Sequence, residues 1–160
     1  MANDVECIFH VWCETEDKLN EIEVAVYNDE TENDFDFERI LPEGKWGTKW
    51  SKNESCIEMS DTELEFTFTT AWNAPYPVIQ EFCKKFGVRG TLLYYDRDDF
   101  GSNCGYMIVD KEGEVTDEEH FDSIEDGGLD FIAGEYGMDA VESEGWKMDE
   151  NGKWEYVGIE

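Results

Sequence analysis

Residues 54–72 read "ESCIEMSDTELEFTFTTAW". From Glu63 onward the run alternates: Leu64, Phe66, Phe68 and Thr70 share one face, and Glu63, Glu65, Thr67 and Thr69 share the other. Alternation with period two is the mark of a half-buried strand. The shorter run "ESCIEMS" (54–60) precedes it by only Asp61 and Thr62. That spacing predicts an antiparallel hairpin. The segments on either side decide which sheet the hairpin joins.

Upstream, "VECIFHVWC" (5–13) alternates Val5, Cys7, Phe9, Val11 and Cys13 against Glu6, His10 and Trp12, which predicts another strand. "TEDKLNEIEVAVYN" (15–28) then sets Leu19, Ile22, Ala25 and Val26 at helical spacing behind Thr15, a plausible N-cap. Downstream, "APYPVIQEFCKKFG" (74–87) reads as a helix opened by proline and stopped by Gly87, with Val78, Ile79, Phe82 and Phe86 as its buried stripe. Lys84 and Lys85 stand in its last turn, where the helix dipole favours cations. "GTLLYYDRD" (90–98) and "CGYMIVDK" (104–111) predict two further strands around the turn-rich "DDFGSN".

The order is β-α-β-β-α-β with one added strand. It predicts an α+β, ferredoxin-like antiparallel sheet with two helices on one face, spanning residues 1–111. The connection "DETENDFDFERILPEG" (29–44) is expected to tuck Phe35, Phe37, Ile40 and Leu41 against that domain. Residues 112–160 read as an acidic extension, packed on or beside it. Leu129, Ile132, Ala133 and Tyr136 predict a helix there. "GWKMDENGKWEYVG" (145–158) predicts a β-hairpin with Asn151-Gly152 in a type I′ turn.

Charge is the outlying property. Forty-one Asp and Glu face twelve Lys and Arg, for a net charge of −29 over 160 residues. Such a surface repels nucleic acid and anionic membranes and attracts basic proteins. Residues 112–160 alone hold seventeen acids against Lys147 and Lys153. Duplex DNA carries one negative charge per ~1.7 Å of axis, so rigid carboxylates can compete for the groove of a nucleic-acid-binding protein. The carboxylates expected to make that contact are Glu118, Glu119, Asp122, Glu125 and Asp126, together with Asp149 and Glu150. Trp146, Trp154 and Tyr156 are the aromatic anchors expected beside them. Salt adaptation or plain solubility produces the same charge balance.

Catalytic signals are thin. Cys7, Cys13, Cys56, Cys83 and Cys104 form no CxxC pair and no Cys/His cluster of zinc spacing, and read as free thiols of a reducing cytoplasm. No leader and no apolar run near 18 residues is visible, so no membrane association is expected. "DRDDFG" (96–101) opens like a calcium loop, but the twelfth residue from Asp96 is Met107, not the glutamate that loop needs. No nucleophile, phosphate-loop or dinucleotide motif appears. No enzyme activity, cofactor or metal is expected.

"WGTKW" (46–50), followed about twenty residues later by "FTFTTAWNAP" (66–75), then by a helix, "LLYYDRD" and "CGYMIV", resembles the YubB-type ferredoxin-like domain of Api92-like phage and plasmid proteins. The likeness covers roughly residues 5–110. It implies a mobile-element origin and a ferredoxin-like fold, and it carries over no catalytic residue. Joined to the charge, it leads to the expectation of an acidic inhibitor. Such an inhibitor would mimic nucleic acid and block a host defence protein of restriction or CRISPR type, or a DNA-processing protein. The alternative is a small-ligand module built from Trp46, Trp50 and Trp72, with Thr48 and Lys49 as polar contacts. The first expectation for these tryptophans is a structural lock. A metal-dependent enzyme working through the acidic loops is the third reading. The oligomeric state stays open, since exposed sheet edges allow a dimer.

Overall fold

The computed structural model describes residues 2–159. Strand β1 (Asp4–Trp12) lies in the middle of the sheet because both of its edges are used. β3 (Glu63–Ala71) pairs with it on one side and β4 (Arg89–Asp96) on the other, both antiparallel. β2 (Ser51–Ser60) flanks β3, and β5 (Cys104–Val109) follows β4. With α1 (Glu16–Val26) and α2 (Tyr76–Phe86), strands β1 to β4 form the expected ferredoxin-like βαββαβ unit.

Both helices cover one face. Phe9 of β1 stands opposite Phe66 and Leu92 in the register, and all three are buried. Leu19, Ile22 and Val26 descend from α1 onto this floor, and Val78, Ile79, Phe82 and Phe86 from α2. Thr15 Oγ1 accepts from the Lys18 N–H, so the N-cap forms as the sequence predicts. Phe35 and Phe37 of the 29–44 connection insert into the same core. Phe35 lies 4.7 Å from Phe66 and 5.5 Å from Phe68, centroid to centroid.

The sheet does not stop at residue 111. β6 (Val115–Phe121) pairs antiparallel with β5, giving six strands in the order β2-β3-β1-β4-β5-β6. The boundary expected between 111 and 112 therefore runs through the sheet. "VTDEEHF" hides its alternation behind five successive polar residues, three of which, Asp117, Glu118 and Glu119, have low strand propensity. Pairing decides the outcome: Asp117, Glu118 and Glu119 stand opposite Ile108, Met107 and Tyr106, so no like charges face across the ladder. The available signal was the turn before it, where the Asp110 carboxylate accepts from the N–H groups of Glu112 and Glu114.

Residues beyond β6 cover the opposite face. Neighbouring residues of one strand separate the two cores: Tyr94 belongs to the first and Tyr95 to the second. α3 (Gly128–Tyr136) and α4 (Met138–Glu142) bury Leu129, Ile132 and Val141 against Cys104, Tyr95 and Phe100. The hairpin of β7 (Trp146–Met148) and β8 (Trp154–Tyr156) closes this layer. Its turn is not type I′. Gly152 has φ +78° but Asn151 is not in the left-handed region, and the Gly152 N–H donates to Asp149 O. That is the three-residue loop of a type I turn followed by a left-handed glycine, favoured here because Asp149 Oδ1 accepts from the N–H groups of Asn151 and Lys153.

Gly105 of β5 leaves room for β6 and the Tyr94 hydroxyl to approach closely. A Cβ there would meet Glu119 O at 2.1 Å and Tyr94 Oη at 2.7 Å. Gly105→Ala is expected to destabilise by about 3 kcal/mol, through displacement of β6. Gly134→Ala, in α3 with nothing within 4 Å, is expected to stabilise by about 0.5–1 kcal/mol. Urea unfolding of the two variants measures both.

Candidate functional site: the acidic C-terminal face

The carboxylates of the C-terminal third lie on three supports. Asp117, Glu118 and Glu119 belong to the edge strand β6 and are exposed. Their side chains alternate: Glu119 shares the face of Tyr106 and α3, and Glu118 the face of Met107 and α2. Asp122, Glu125 and Asp126 follow directly, the last two in a short 3-10 turn (Ile124–Asp126), and all three are exposed. Glu150 projects from the tip of the hairpin. Five of the expected acids, joined by Asp117, therefore run from the sheet edge into the turn above it, and Glu150 stands on a separate element.

Cations do not neutralise them. The Lys and Arg ion pairs among the described residues are Lys18–Glu21, Arg39–Asp36, Lys52–Asp4, Arg97 with Asp4 and Glu6, and Lys111–Glu14. Each of their acids precedes residue 40. Among the described residues, the one contact beyond residue 111 is His120 Nε2 at 3.1 Å from Asp122 Oδ1. His120 Nδ1 lies 2.6 Å from Tyr94 Oη, so a neutral imidazole accepts from the phenol and donates to Asp122. Asp122 is thereby tied to the buried core, while Glu118, Glu119, Glu125 and Glu150 have no such tether.

Three expected contact residues have other duties. Trp146 and Trp154 pack onto the second core, and Trp154 Nε1 donates to Asp130 Oδ1 at 2.8 Å. They fasten the hairpin to α3 and are not free anchors; a large indole beside an apolar helix face finds burial first. Asp149 is half-buried and spends its carboxylate on the hairpin turn. Tyr156 remains an exposed aromatic, at 59%.

The tryptophan region divides. Trp46 Nε1 donates to Leu41 O at 2.8 Å, and its ring meets Phe37 edge-on. Thr48 Oγ1 donates to Ala71 O and accepts from the Ala71 N–H, clamping the WGTKW turn to β3. Trp50 lies under Lys52, with Nζ 4.7 Å from the ring centroid. Trp72 is 45% exposed and lines an open concavity of about 550 Å³ with Thr48, Lys49 and Glu43. Trp46 and Trp50 do not reach it.

Residues 45–139 match the family model described as the ferredoxin-like domain in Api92-like protein. The chain belongs to this family. The Api92-like match takes in both tryptophan motifs, strands β2 to β6 and α3, so it reaches past residue 110, where the likeness read from sequence stops. β1 and α1 precede it and the hairpin follows it. No curated protein and no solved structure gives a significant match. No helix among the described residues is long and apolar enough to cross a membrane.

Sequence reasoning missed a carboxyl pair. Glu23 of α1 meets Glu58 of β2 beside a cavity of about 440 Å³ lined by Val24, Tyr27, Asp34, Arg39 and Cys56. Burial, a hydrogen bond to Glu58, and the charges of Glu58 and Asp34 push the Glu23 carboxyl up to about 7. Burial and the same carboxylates push the Cys56 thiol up to about 12, so it stays protonated at neutral pH. Helix and strand periodicity mark both residues only as outward-facing acids; their meeting is a tertiary fact.

The folded state holds a proton on Glu23 that the unfolded chain releases near the ordinary carboxylate value of 4.5. Stability therefore falls as pH rises from there to about 7, and the loss is complete above that. Glu23→Gln is expected to gain on the parent protein across this window, with a constant difference above it. Thermal melts at stepped pH and constant ionic strength measure the difference.

Proposed function

We propose that this Api92-like chain is an acidic interaction protein whose C-terminal face occupies the basic groove of a nucleic-acid-binding protein. Its target would be a host defence protein of restriction or CRISPR type, or a DNA-processing protein, in the bacterial cytoplasm. One observation carries the reading: among the described residues, the carboxylates of β6 and the turn after it stand exposed without a lysine or arginine partner. Consecutive acids of β6 advance ~3.3 Å per residue, fanning to alternate sides. One DNA strand advances ~3.4 Å per phosphate. The sheet fixes the backbone that carries the β6 charges before any encounter, so the ordering entropy that opposes binding is mainly that of side chains. Uncompensated charge also steers a basic partner from a distance, an effect that weakens with salt. Tyr156 is the exposed aromatic nearest in sequence to Glu150 and supplies apolar contact. A second reading, a small-ligand module, draws support from exposed Trp72 beside Lys49.

Capture from bacterial lysate on the immobilised protein tests the proposal, with washes of rising salt and short duplex DNA as competitor. The expected result is one dominant nucleic-acid-binding protein, released by DNA. The double reversal Glu118→Lys with Glu119→Lys is expected to abolish that capture. Glu30→Lys with Glu43→Lys, which changes net charge equally, is expected to leave it intact. Equal loss with both pairs reduces the effect to bulk charge and overturns the reading.

A further inference from the structure

The layer built by residues beyond β6 covers the second face of the sheet only in part. Its apolar side chains gather on Tyr95, Cys104 and Phe121, at one end of β4, β5 and β6. Phe131 of α3 stacks on Tyr106 of β5, with centroids 6.2 Å apart. Beside and beyond Tyr106 the same face carries Ile8 of β1, Leu93 of β4 and Ile108 of β5. All three are half-buried, and they belong to neither core. They are neighbours in the register: Ile8 stands opposite Leu93, Leu93 opposite Tyr106, and Ile108 opposite Thr91.

Carboxylates stand on both sides of this apolar band. On β3, Glu65 lies opposite His10; on β6, Asp117 lies opposite Ile108 and Glu119 opposite Tyr106. Among the described residues, none of the three has a lysine or arginine partner. Tyr106 Oη donates to one oxygen of Asp117 and leaves its charge in place. The basic side chains nearby are engaged elsewhere. Arg89 lies over the Trp12 ring at 4.7 Å, Arg97 pairs with Asp4 and Glu6, and His10 meets Glu63 at 3.1 Å. An apolar band rimmed by uncompensated charge is the form a protein-binding face takes.

The geometry narrows the occupant. β1, β4 and β5 are paired along both edges, so they offer no free ladder of backbone hydrogen bonds. A segment lying on them must satisfy its own backbone, as a helix does and an added strand does not. Glu65 and Asp117 are four strand spacings apart, about 19 Å at ~4.8 Å each. A helix with its side chains is about 10–12 Å across, so it fits between the two banks with lysine or arginine on either flank in reach of them. A second copy of this chain would bring the same carboxylates against like charge, and nucleic acid meets the same repulsion. We infer that this open face docks a basic amphipathic helix of a partner, with its apolar side on Ile8, Leu93 and Ile108 and its cations on Glu65, Asp117 and Glu119. The surface goes beyond the proposed groove contact, which shares the β6 carboxylates but needs neither β1 nor β4.

A short synthetic peptide of leucine and lysine, with leucine at helical spacing, tests the inference against one of equal composition with leucine at every second position. Amide chemical shifts followed by NMR are expected to move saturably at Ile8, Leu93 and Ile108 with the first peptide only. Ile8→Thr with Leu93→Thr keeps strand-forming residues on the half-exposed face and should lower the affinity about tenfold. That pair leaves every β6 carboxylate in place, so this binding and the capture from lysate fail independently. Glu65→Gln with Glu119→Gln should lower the affinity about threefold and weaken its salt dependence. Glu30→Gln with Glu43→Gln, an equal change of charge, should leave it unaltered. The absence of a saturable shift at these amides overturns the inference, as does an equal response to both peptides. So does an affinity unchanged by the threonine pair, or lowered equally by both glutamine pairs. Shifts at the same amides on raising the protein concentration alone give the face to a second copy, and shifts with single-stranded RNA but not with the peptide give it to nucleic acid; either overturns the inference.

Discussion

Phe9 sits at the point where the fold is held together. Its ring lies 4.9 Å from Phe82 of α2, 6.0 Å from Phe66 of β3 and 6.3 Å from Phe35 of the long connection. One side chain on the central strand thus joins a helix, a neighbouring strand and a segment without regular structure. Fully burying a side chain of this size contributes roughly 1.5–3 kcal/mol, and offset or edge-on aromatic pairs add to it. A chain of net charge −29 needs such a core, because its surface opposes compaction. The few cations are placed to the same end. Arg97 and Lys52 both reach Asp4 at the start of β1, and Arg97 also reaches Glu6. The Lys and Arg ion pairs among the described residues thus all lie within the first 111 residues.

That placement leaves the C-terminal third electrostatically bare. Its stability comes instead from the second core, where Leu129, Ile132 and Val141 meet the back of β4 and β5. The acids are carried by elements whose inward faces are apolar and whose outward carboxylates, among the described residues, have no lysine or arginine partner. An edge strand rich in carboxylates also resists pairing with a second copy of itself, since like charges would be brought together along the whole ladder. The β6 edge consequently disfavours a ladder with a second copy of itself. The Api92-like match includes this strand and α3, so the acidic edge lies within the family's domain and not outside it.

Much of this was legible in the chain itself. The alternation in 63–72 and 5–13, the stripes of the two helices, and the Thr15 and Gly87 stops depend on local spacing, and local spacing survives folding. The imbalance of acids over bases is likewise a property of composition. The resemblance carried by the two tryptophan motifs agrees with the family match. Less legible was the role of individual residues within those motifs. Trp146, Trp154 and Asp149 read as contact residues, yet each is taken up by the hairpin and its seat on α3.

The sequence by itself determined the βαββαβ order, the two helices on one face and the sign of the surface, because periodicity and charge need no knowledge of distant neighbours. Tertiary structure alone decided that "VTDEEHF" is a strand, since its partner β5 overrides its own weak propensity. It decided which carboxylates have a counterion, since that depends on where twelve cations come to rest. And it brought Glu23 against Glu58, because that is a meeting across elements that no spacing along the chain records.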